Sequence, residues 1–298
     1  MKNVLSLFDG LSCGQLALNR AGIEYDNYYA SEVDENAIKV TQQHFKNTKQ
    51  IGDICEIKCS DLPVIDLLIG GSPCQSFSRG GDGSGFDGKS KLFWEFIRVL
   101  NEAKEINPQV YFFLENVVMK KEWRDIISEA IGVEPIEVDS KLVSAQKRQR
   151  LYWTNIEGFE MPKDRNIKTI DILDDDPTWV DPDELLWKDE ESGEWRVRNA
   201  TKLGYLVVNN FDAVNLDFPK SKTRRGRVAK QKVNTLNTGC NQGIFVAGKI
   251  KRLSQRECER LQTLPDFYTQ ILSDSKARHA IGNGWTVDII VEFFKNIK

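Results

Sequence analysis

One cysteine stands where a nucleophile would stand. Cys74 lies in Gly70-Gly71-Ser72-Pro73-Cys74-Gln75, behind an apolar run and ahead of a stretch rich in Gly, Ser and Asp. A thiol in such a turn is exposed, and it becomes a nucleophile when nearby positive charge or a helix end lowers its pKa from about 8.5. Glu115, in Glu115-Asn116-Val117, closes a second apolar run and offers a carboxylate for proton transfer. Gln146, Arg148 and Arg150 alternate along one extended run, a spacing that predicts one shared face. Three more acids mark the ends of earlier apolar runs: Asp9 in Phe8-Asp9-Gly10-Leu11-Ser12, Glu32 beside Val33, and Asp53 beside Ile54. An acid 22 residues after the Gly10 turn suits ribose hydroxyls, and one at the next strand end suits an adenine amine. A helix N-terminus after the glycine turn favours a carboxylate. The turn is not G-x-G-x-x-G, so a dinucleotide pyrophosphate is not indicated.

These residues need a scaffold that brings them to one edge. Val4 to Phe8, Asn27 to Ser31, Gln50-Ile51, Val64 to Ile69 and Val110 to Leu114 read as strands. Helices are expected from Ser12, where Ser12-x-x-Gln15 has the capping-box form, over Glu35 to Phe45, and from Leu92 to Ala103. The alternation predicts an α/β fold with a doubly wound parallel sheet, whose active edge lies off the carboxyl ends of the strands. There the acids would meet a nucleoside that carries an amino acid, a description S-adenosylmethionine fits. Residues 72–91 should form a long loop. After Trp153 the pattern fails, and 156–245 reads as a small irregular second domain. Regularity returns at a second capping box, Ser254-x-x-Glu257, opening a helix to about Leu264, and in an amphipathic closing helix from Thr286 to Ile297. The expected division is 1–155 plus about 251–298 as the catalytic and cofactor-binding domain, with about 156–250 between.

Composition sets the outer bounds. The 298 residues are 40% hydrophobic and 29% charged, enough to bury a sizeable core and to exclude disorder of the whole chain. No apolar run approaches the roughly 18 residues that span a bilayer, and the N-terminus lacks the features of a signal peptide, which predicts an intracellular protein. The six cysteines are irregularly spaced and read as free thiols; with two histidines, no metal site is expected. Net charge is −3, but its distribution is uneven. Asp171 to Glu194 holds eleven acids and one base, whereas Lys220 to Arg256 holds eleven bases and no acid. The basic run predicts a phosphate-contacting surface, with Arg224, Arg225, Arg227 and Lys230 foremost; the acidic run is expected to face solvent.

Taken in order, these motifs resemble the DNA cytosine-C5 methyltransferases. The glycine turn is similar to that family's first cofactor motif, Ser72-Pro73-Cys74-Gln75 to its nucleophile motif, and Glu115-Asn116-Val117 to the motif of its catalytic glutamate. Gln146-x-Arg148-x-Arg150 is similar to its arginine motif, Arg252-Leu253-Ser254-Gln255-Arg256-Glu257-Cys258 with Leu264-Pro265 to the penultimate one, and Ile281-Gly282-Asn283-Gly284-Trp285-Thr286 to the last. The first and last motifs are closest to the animal de novo enzymes, whereas Gln75 and the full arginine motif look like a bacterial or phage single-domain enzyme.

The resemblance implies a methyltransferase fold with a target-recognition domain at about 156–250, S-adenosylmethionine as cofactor and duplex DNA as substrate. It implies a covalent adduct of Cys74 with a flipped cytosine, with Glu115 at N3, Arg148 holding the base O2 and supporting the thiolate, and Arg150 and Gln146 orienting the site. Phe8, Asp9, Gly10, Leu11, Ser12, Glu32, Val33, Asp53, Ile54, Pro73, Asn283 and Trp285 would hold the cofactor, with Gln75 and Ser76 on DNA beside the basic run. A monomer in the cytoplasm, associated with the nucleoid and paired with a cognate restriction endonuclease, completes the expectation. A transfer-RNA cytosine methyltransferase and a silent DNA-binding regulator are the alternatives.

Overall fold

The computed structural model describes residues 1–73, 92–175, 178–180 and 184–298. Cys74, Gln75, Ser76 and the rest of the expected loop to residue 91 lie outside the described residues. The chain divides into two compact units: Met1–Asp139 with Gln149–Pro162 and Val287–Lys298, and Ser140–Arg148 with Lys163–Thr286.

The first unit carries the α/β pattern. In chain order it contains β1 (Asn3–Leu7), α1 (Cys13–Ala21), β2 (Asn27–Ser31), α2 (Glu35–His44), β3 (Lys49–Gln50), β4 (Leu67–Gly70), α3 (Leu92–Ile106), β5 (Tyr111–Val117), α4 (Lys121–Ile131) and β6 (Ile136–Asp139). After β7 (Gln146–Lys147), which belongs to the second unit, comes β8 (Gln149–Thr154). The sheet order is β3-β2-β1-β4-β5-β8-β6. The five strands from β3 to β5 are parallel, as expected, but β8 runs antiparallel to both β5 and β6. The wholly parallel expectation is thereby corrected: only nine residues separate β6 from β8, too few for the crossover that a parallel pair requires.

Burial explains the order. β1 and β4 are buried throughout, the mark of a central strand covered on both faces. On α3, Phe93, Phe96, Ile97, Val99, Leu100 and Ala103 form one apolar stripe over the sheet. Fully burying a side chain the size of Phe or Leu contributes about 2 kcal/mol, so this stripe binds α3 firmly. Gly70 ends β4 where a Cβ would come within 3.0 Å of the Leu7 carbonyl and the Phe96 ring; glycine lets α3 approach the strand. The closing helix, Val287–Phe294, packs Phe293 and Phe294 edge-on against Phe113 of β5, with ring centroids 5.2 and 5.3 Å away.

The second unit is more regular than its sequence suggests. It contains α5 (Thr169–Ile172), β9 (Trp179–Val180), β10 (Leu186–Lys188), β11 (Trp195–Arg198), β12 (Tyr205–Val207), β13 (Ala213–Asn215), β14 (Val228–Ala229), β15 (Val233–Asn234), β16 (Gln242–Val246), β17 (Lys249–Arg252), α6 (Gln255–Leu261) and α7 (Asp274–Asn283). The strands form sheets of order β10-β11-β12 and β14-β13-β16-β17-β9, which share a core of Leu185, Val197, Val208, Val214, Phe245 and Ile250, and a separate pair β15-β7. Strands of two to five residues hold too few alternations to show a period in the sequence. Residues 140–148 and 251–286 pack within this unit, which differs from the expected division; buried hydrogen bonds from Gln146, Arg148 and Gln262 draw them there.

Candidate active site

The glycine turn after β1 is built from left-handed residues. Phe8, Gly10 and Ser12 have φ of 57°, 55° and 56°, so two non-glycine residues hold a conformation each disfavours. The turn closes by hydrogen bonds from the Asp9 N–H to the Ser31 carbonyl and from the Ser12 N–H to the Asp9 carbonyl. Ser12 is therefore not a capping-box residue: its side chain accepts from no helix N–H, and its hydroxyl donates to the Gln15 side chain at 3.2 Å. The left-handed backbone turns that hydroxyl away from the helix axis. No acidic residue occupies the first turn of α1, so its positive end is not offset by its own side chains.

Glu32 locks this turn to β2. One carboxylate oxygen accepts from the Gly10 N–H at 2.8 Å, and the other accepts from the N–H groups of Val33 and Asp34 at 2.7 and 2.8 Å. Three backbone donors fix the carboxylate in orientation and leave it lone pairs for hydroxyl donors. Beside it Val33 is 70% exposed, an apolar side chain open to a planar ring. Asp53 follows β3, exposed, with one oxygen capping the Cys55 N–H at 2.9 Å. Its loop is held to α3 by Arg98, which donates to the carbonyls of Ile54 and Ile57. Ile54 itself is buried in the core of the first unit.

Asp9 is the odd member of the turn. It is buried; its Oδ1 accepts from the Tyr28 hydroxyl at 2.9 Å, and its Oδ2 has no hydrogen-bond partner. Burial pushes its pKa up to about 6, against the opposing pull of the Ser6, Tyr28 and Ser12 hydroxyls. Leu11 is buried beneath the same turn.

Glu115 and Asn116 lie within β5 rather than beyond its end. The register pairs Glu115 with Tyr152 and Val117 with Arg150, so Glu115 and Arg150 are diagonal neighbours on one face. Arg150 Nε meets Glu115 Oε1 at 2.8 Å, with both side chains largely shielded from solvent. Shielding strengthens such a charge-assisted hydrogen bond. Next to it, the Asn116 amide donates to the Ser72 hydroxyl at 3.0 Å and to the Ser72 carbonyl at 3.4 Å, both residues being buried. Asn116 thus holds the segment Gly71-Ser72-Pro73 that leads directly into Cys74. Sequence reasoning gave Asn116 no role; a polar residue inside a buried strand was the available signal.

Gln146 and Arg148 lie in the second unit and point into a buried polar hub. Arg148 is 3% exposed; its Nη1 donates to the Leu236 carbonyl at 3.1 Å and its Nη2 to the carbonyls of Gly282 and Gly284 at 3.3 and 2.9 Å. Gln146 donates to the Leu261 carbonyl and accepts from the Leu236 N–H. Gln262 donates to the carbonyls of Ile281 and Gly284 and accepts from the Thr286 hydroxyl. The alternation of buried and exposed residues along 146–150 holds, but the expected single strand breaks at Arg148 between β7 and β8. The terminal nitrogens of Arg148, expected to reach a substrate base, are engaged by backbone carbonyls in this structure. Asn283 ends α7 exposed, and Trp285 is half-buried just beyond it.

The basic run is also less uniform than its sequence. Arg227 is fully buried and donates to the carbonyls of Asn215, Asp217 and Phe218, so its assignment to DNA is corrected. Arg224 pairs with Asp217 at 2.9 Å and Lys230 with Asp212 at 2.8 Å. Arg225 remains exposed. In the acidic run, Asp174 does not face solvent: its side chain is 2% exposed and pairs with Lys251 and Arg256, because it anchors the N-terminus of α6 through Ser254. The Ser254–Glu257 capping box itself forms as the sequence predicts. Among the described residues no cluster of His, Cys, Asp or Glu could hold a metal ion, and no helix is long and apolar enough to cross a membrane.

A glycine turn held by an anchored carboxylate lies at the carboxyl edge of a mostly parallel sheet, where α/β enzymes bind their ligands. Solved methyltransferases share the whole fold. The Entamoeba histolytica methyltransferase EhMeth has a TM-score of 0.69 at 14% identity, over 98% of this chain and 96% of that one. The S. pombe Dnmt2 methyltransferase has a TM-score of 0.60 at 15% identity, over 99% and 98%. The model of the C-5 cytosine-specific DNA methylases matches residues 2–128 and 140–298, and the chain belongs to that family. It is similar to the type II methyltransferase M.FnuDI of Fusobacterium nucleatum, with 31% identity over 99% of this chain and 94% of the relative. To M.HhaI of Haemophilus parahaemolyticus it is 28% identical, over 98% and 93%. The matched family is one of DNA methylases, which decides against the transfer-RNA alternative.

Proposed function

We propose that the chain transfers a methyl group from S-adenosylmethionine to C5 of a cytosine flipped out of a short duplex DNA sequence, through a covalent Cys74–C6 adduct. The observation that carries this reading is the Glu115–Arg150 pair beside the Asn116–Ser72 link, because it joins a fixed carboxylate and guanidinium to the segment entering Cys74. The residues at the strand ends fit the nucleoside half of the cofactor: Glu32 for the ribose hydroxyls, Val33 against the ring and Asp53 for the exocyclic amine. The open end of α1 fits the carboxylate. When bound, S-adenosylmethionine supplies an electrophilic methyl group.

Cytosine C5 is a weak nucleophile. Addition of the Cys74 thiolate to C6 breaks the ring's aromaticity and places the electron pair at C5. Glu115 holds N3 and the exocyclic amine and supplies or shares the proton that offsets the charge developing there. Arg150, bonded to Glu115, takes the place expected of Arg148: its guanidinium orients the carboxylate and is available to the base O2. Arg148 holds the loops at 236 and 282–284. After methylation a base removes the C5 proton, the pair returns to the C5–C6 bond, and Cys74 leaves as thiolate. The target atoms are inaccessible inside a duplex, so the base is extruded at a cost of a few kcal/mol. Residues of about 156–250 read the target, and their small number fits a short site. The type II naming of the bacterial relatives supports a restriction endonuclease as counterpart.

The test is transfer of labelled methyl from S-adenosylmethionine to mixed-sequence duplex DNA, with Cys74→Ser alongside and bisulfite mapping of the product. Label at cytosine C5 that vanishes in the variant is expected. Label on no DNA, with cofactor still bound, would overturn the reading.

A further inference from the structure

The cations of the second unit fall into two groups. Most between Arg224 and Lys232 already have partners in the protein: Arg224 on Asp217, Arg227 on three carbonyls, Lys230 on Asp212, and Lys232 on the carbonyls of Lys141 and Ser144. Lys202, Lys222 and Arg225 form no ion pair or side-chain hydrogen bond among the described residues, and all three are exposed. These three line a single surface hollow with Ala200 and Thr201.

The hollow is a built feature. The Ala200 N–H donates to the Arg224 carbonyl at 2.9 Å, which fastens the loop carrying Lys202 to the loop carrying Lys222 and Arg225. The Arg227 N–H donates to Asn199 Oδ1 at 3.2 Å, and the Thr201 hydroxyl to the Tyr205 carbonyl at 3.0 Å. Buried Arg227 and Asn199 thus form a fixed base beneath the loops.

We propose that this hollow seats the sugar–phosphate backbone of the DNA duplex, with Lys202, Lys222 and Arg225 as its phosphate-contacting residues. Three uncompensated cations around one surface hollow favour an anion. Contacts of this kind hold the duplex in register and do not read sequence. The inference rests on DNA being the substrate, and it moves the contact away from Arg227 and Lys230 towards Lys202 and Lys222.

The experiment uses the full enzyme with Lys202→Gln, Lys222→Gln and Arg225→Gln combined, and a control with Lys39→Gln and Lys46→Gln. Each phosphate no longer neutralised by a cation lowers the slope of log affinity against log salt by about 0.9, so the triple variant should lose roughly 1 to 3 from that slope. Its KM for DNA should rise at least tenfold at moderate salt. Its kcat at saturating DNA, its cofactor affinity, its unfolding temperature and its bisulfite-mapped site should stay unchanged, and the control should match the unaltered enzyme. An unchanged slope and KM in the triple variant would overturn the proposal, as would an equal loss in the control. Failure of the unaltered enzyme to methylate duplex DNA would instead overturn the substrate reading, and it is seen before any variant is made.

Discussion

The hub around Arg148 and the turn around Asp9 are both buried polar clusters, but their hydrogen bonds are spent differently. In the hub, side-chain amides and a guanidinium are matched to backbone carbonyls of the loops at 236, 261 and 281–284. Such a cluster stabilises one arrangement of loops. In the turn, two non-glycine residues have positive φ and one carboxylate oxygen has no partner. Each left-handed residue costs on the order of 1 kcal/mol, and an unpartnered buried polar atom costs about 1–3 kcal/mol. The contrast is in what the buried polar groups are tied to: in the hub they join loops through backbone carbonyls, and in the turn they sit on left-handed backbone at the carboxyl edge of the sheet.

Loss at the reacting carboxylate should give the largest effect. Glu115→Gln keeps the shape but loses the charge, so methyl transfer should fall by about 10²- to 10⁴-fold while the unfolding temperature moves by a few degrees at most. A rate within tenfold of the unaltered enzyme would remove Glu115 from the mechanism. The opposite profile is expected at the hub. Arg148→Ala removes the guanidinium from the Leu236 and Gly282 carbonyls, leaves Gly284 to Gln262 and opens a cavity, which should cost about 3 kcal/mol, read as a large drop in unfolding temperature or denaturant midpoint. If Arg148→Ala folds normally and only kcat collapses, the hub is catalytic and the comparison fails.

The turn offers a pH test. The folded pKa of Asp9, pushed up to about 6, lies above its ordinary value of 3.8, so the native protein holds this proton more tightly than the unfolded chain. Its contribution to stability is therefore full below about pH 4 and is lost as pH rises through 6. Asp9→Asn cannot titrate. The stability of the variant relative to the unaltered protein should rise by roughly 3 kcal/mol between pH 3 and 7, a figure that follows from about 1.4 kcal/mol per pKa unit. Parallel stability curves for the two proteins would show that Asp9 is not buried as described. A smaller effect is expected at the edge of the hub. A Cβ on Gly282 would fall 2.3 Å from the Asn237 carbonyl oxygen, so Gly282→Ala should cost about 2 kcal/mol by forcing the 237–238 backbone away from α7.

Much of this was legible in the sequence, for identifiable reasons. The strands from β1 to β5 and the helix α3 announced themselves because long apolar runs and a wide stripe carry a period. Glu32 meets the Gly10 turn because its distance along the chain from that turn carries it to the end of the neighbouring strand. The reversed strand β8 was hidden, since strand direction depends on the length of a connection rather than on the residues in it. Arg148 and Arg150 could not be told apart, because two arginines at alternate positions look equivalent until the strand breaks between them. Arg227 and Asp174 were misjudged for a related cause: a charge run records composition, whereas burial and pairing decide which charges face solvent. Lys202 lay outside the basic run and joins Lys222 and Arg225 only through the folding of two loops.

The central claim is a covalent bond between Cys74 and the target base, and it can be measured directly. Duplex DNA with 5-fluorocytosine at the mapped target leaves no proton at C5 to remove, so elimination of the thiolate is blocked once the methyl has been added. Incubation with S-adenosylmethionine should give a complex that survives denaturation, with the DNA mass on the peptide containing Cys74. Full methylation of ordinary DNA with no such complex, or a complex mapped to a peptide lacking Cys74, would contradict the account.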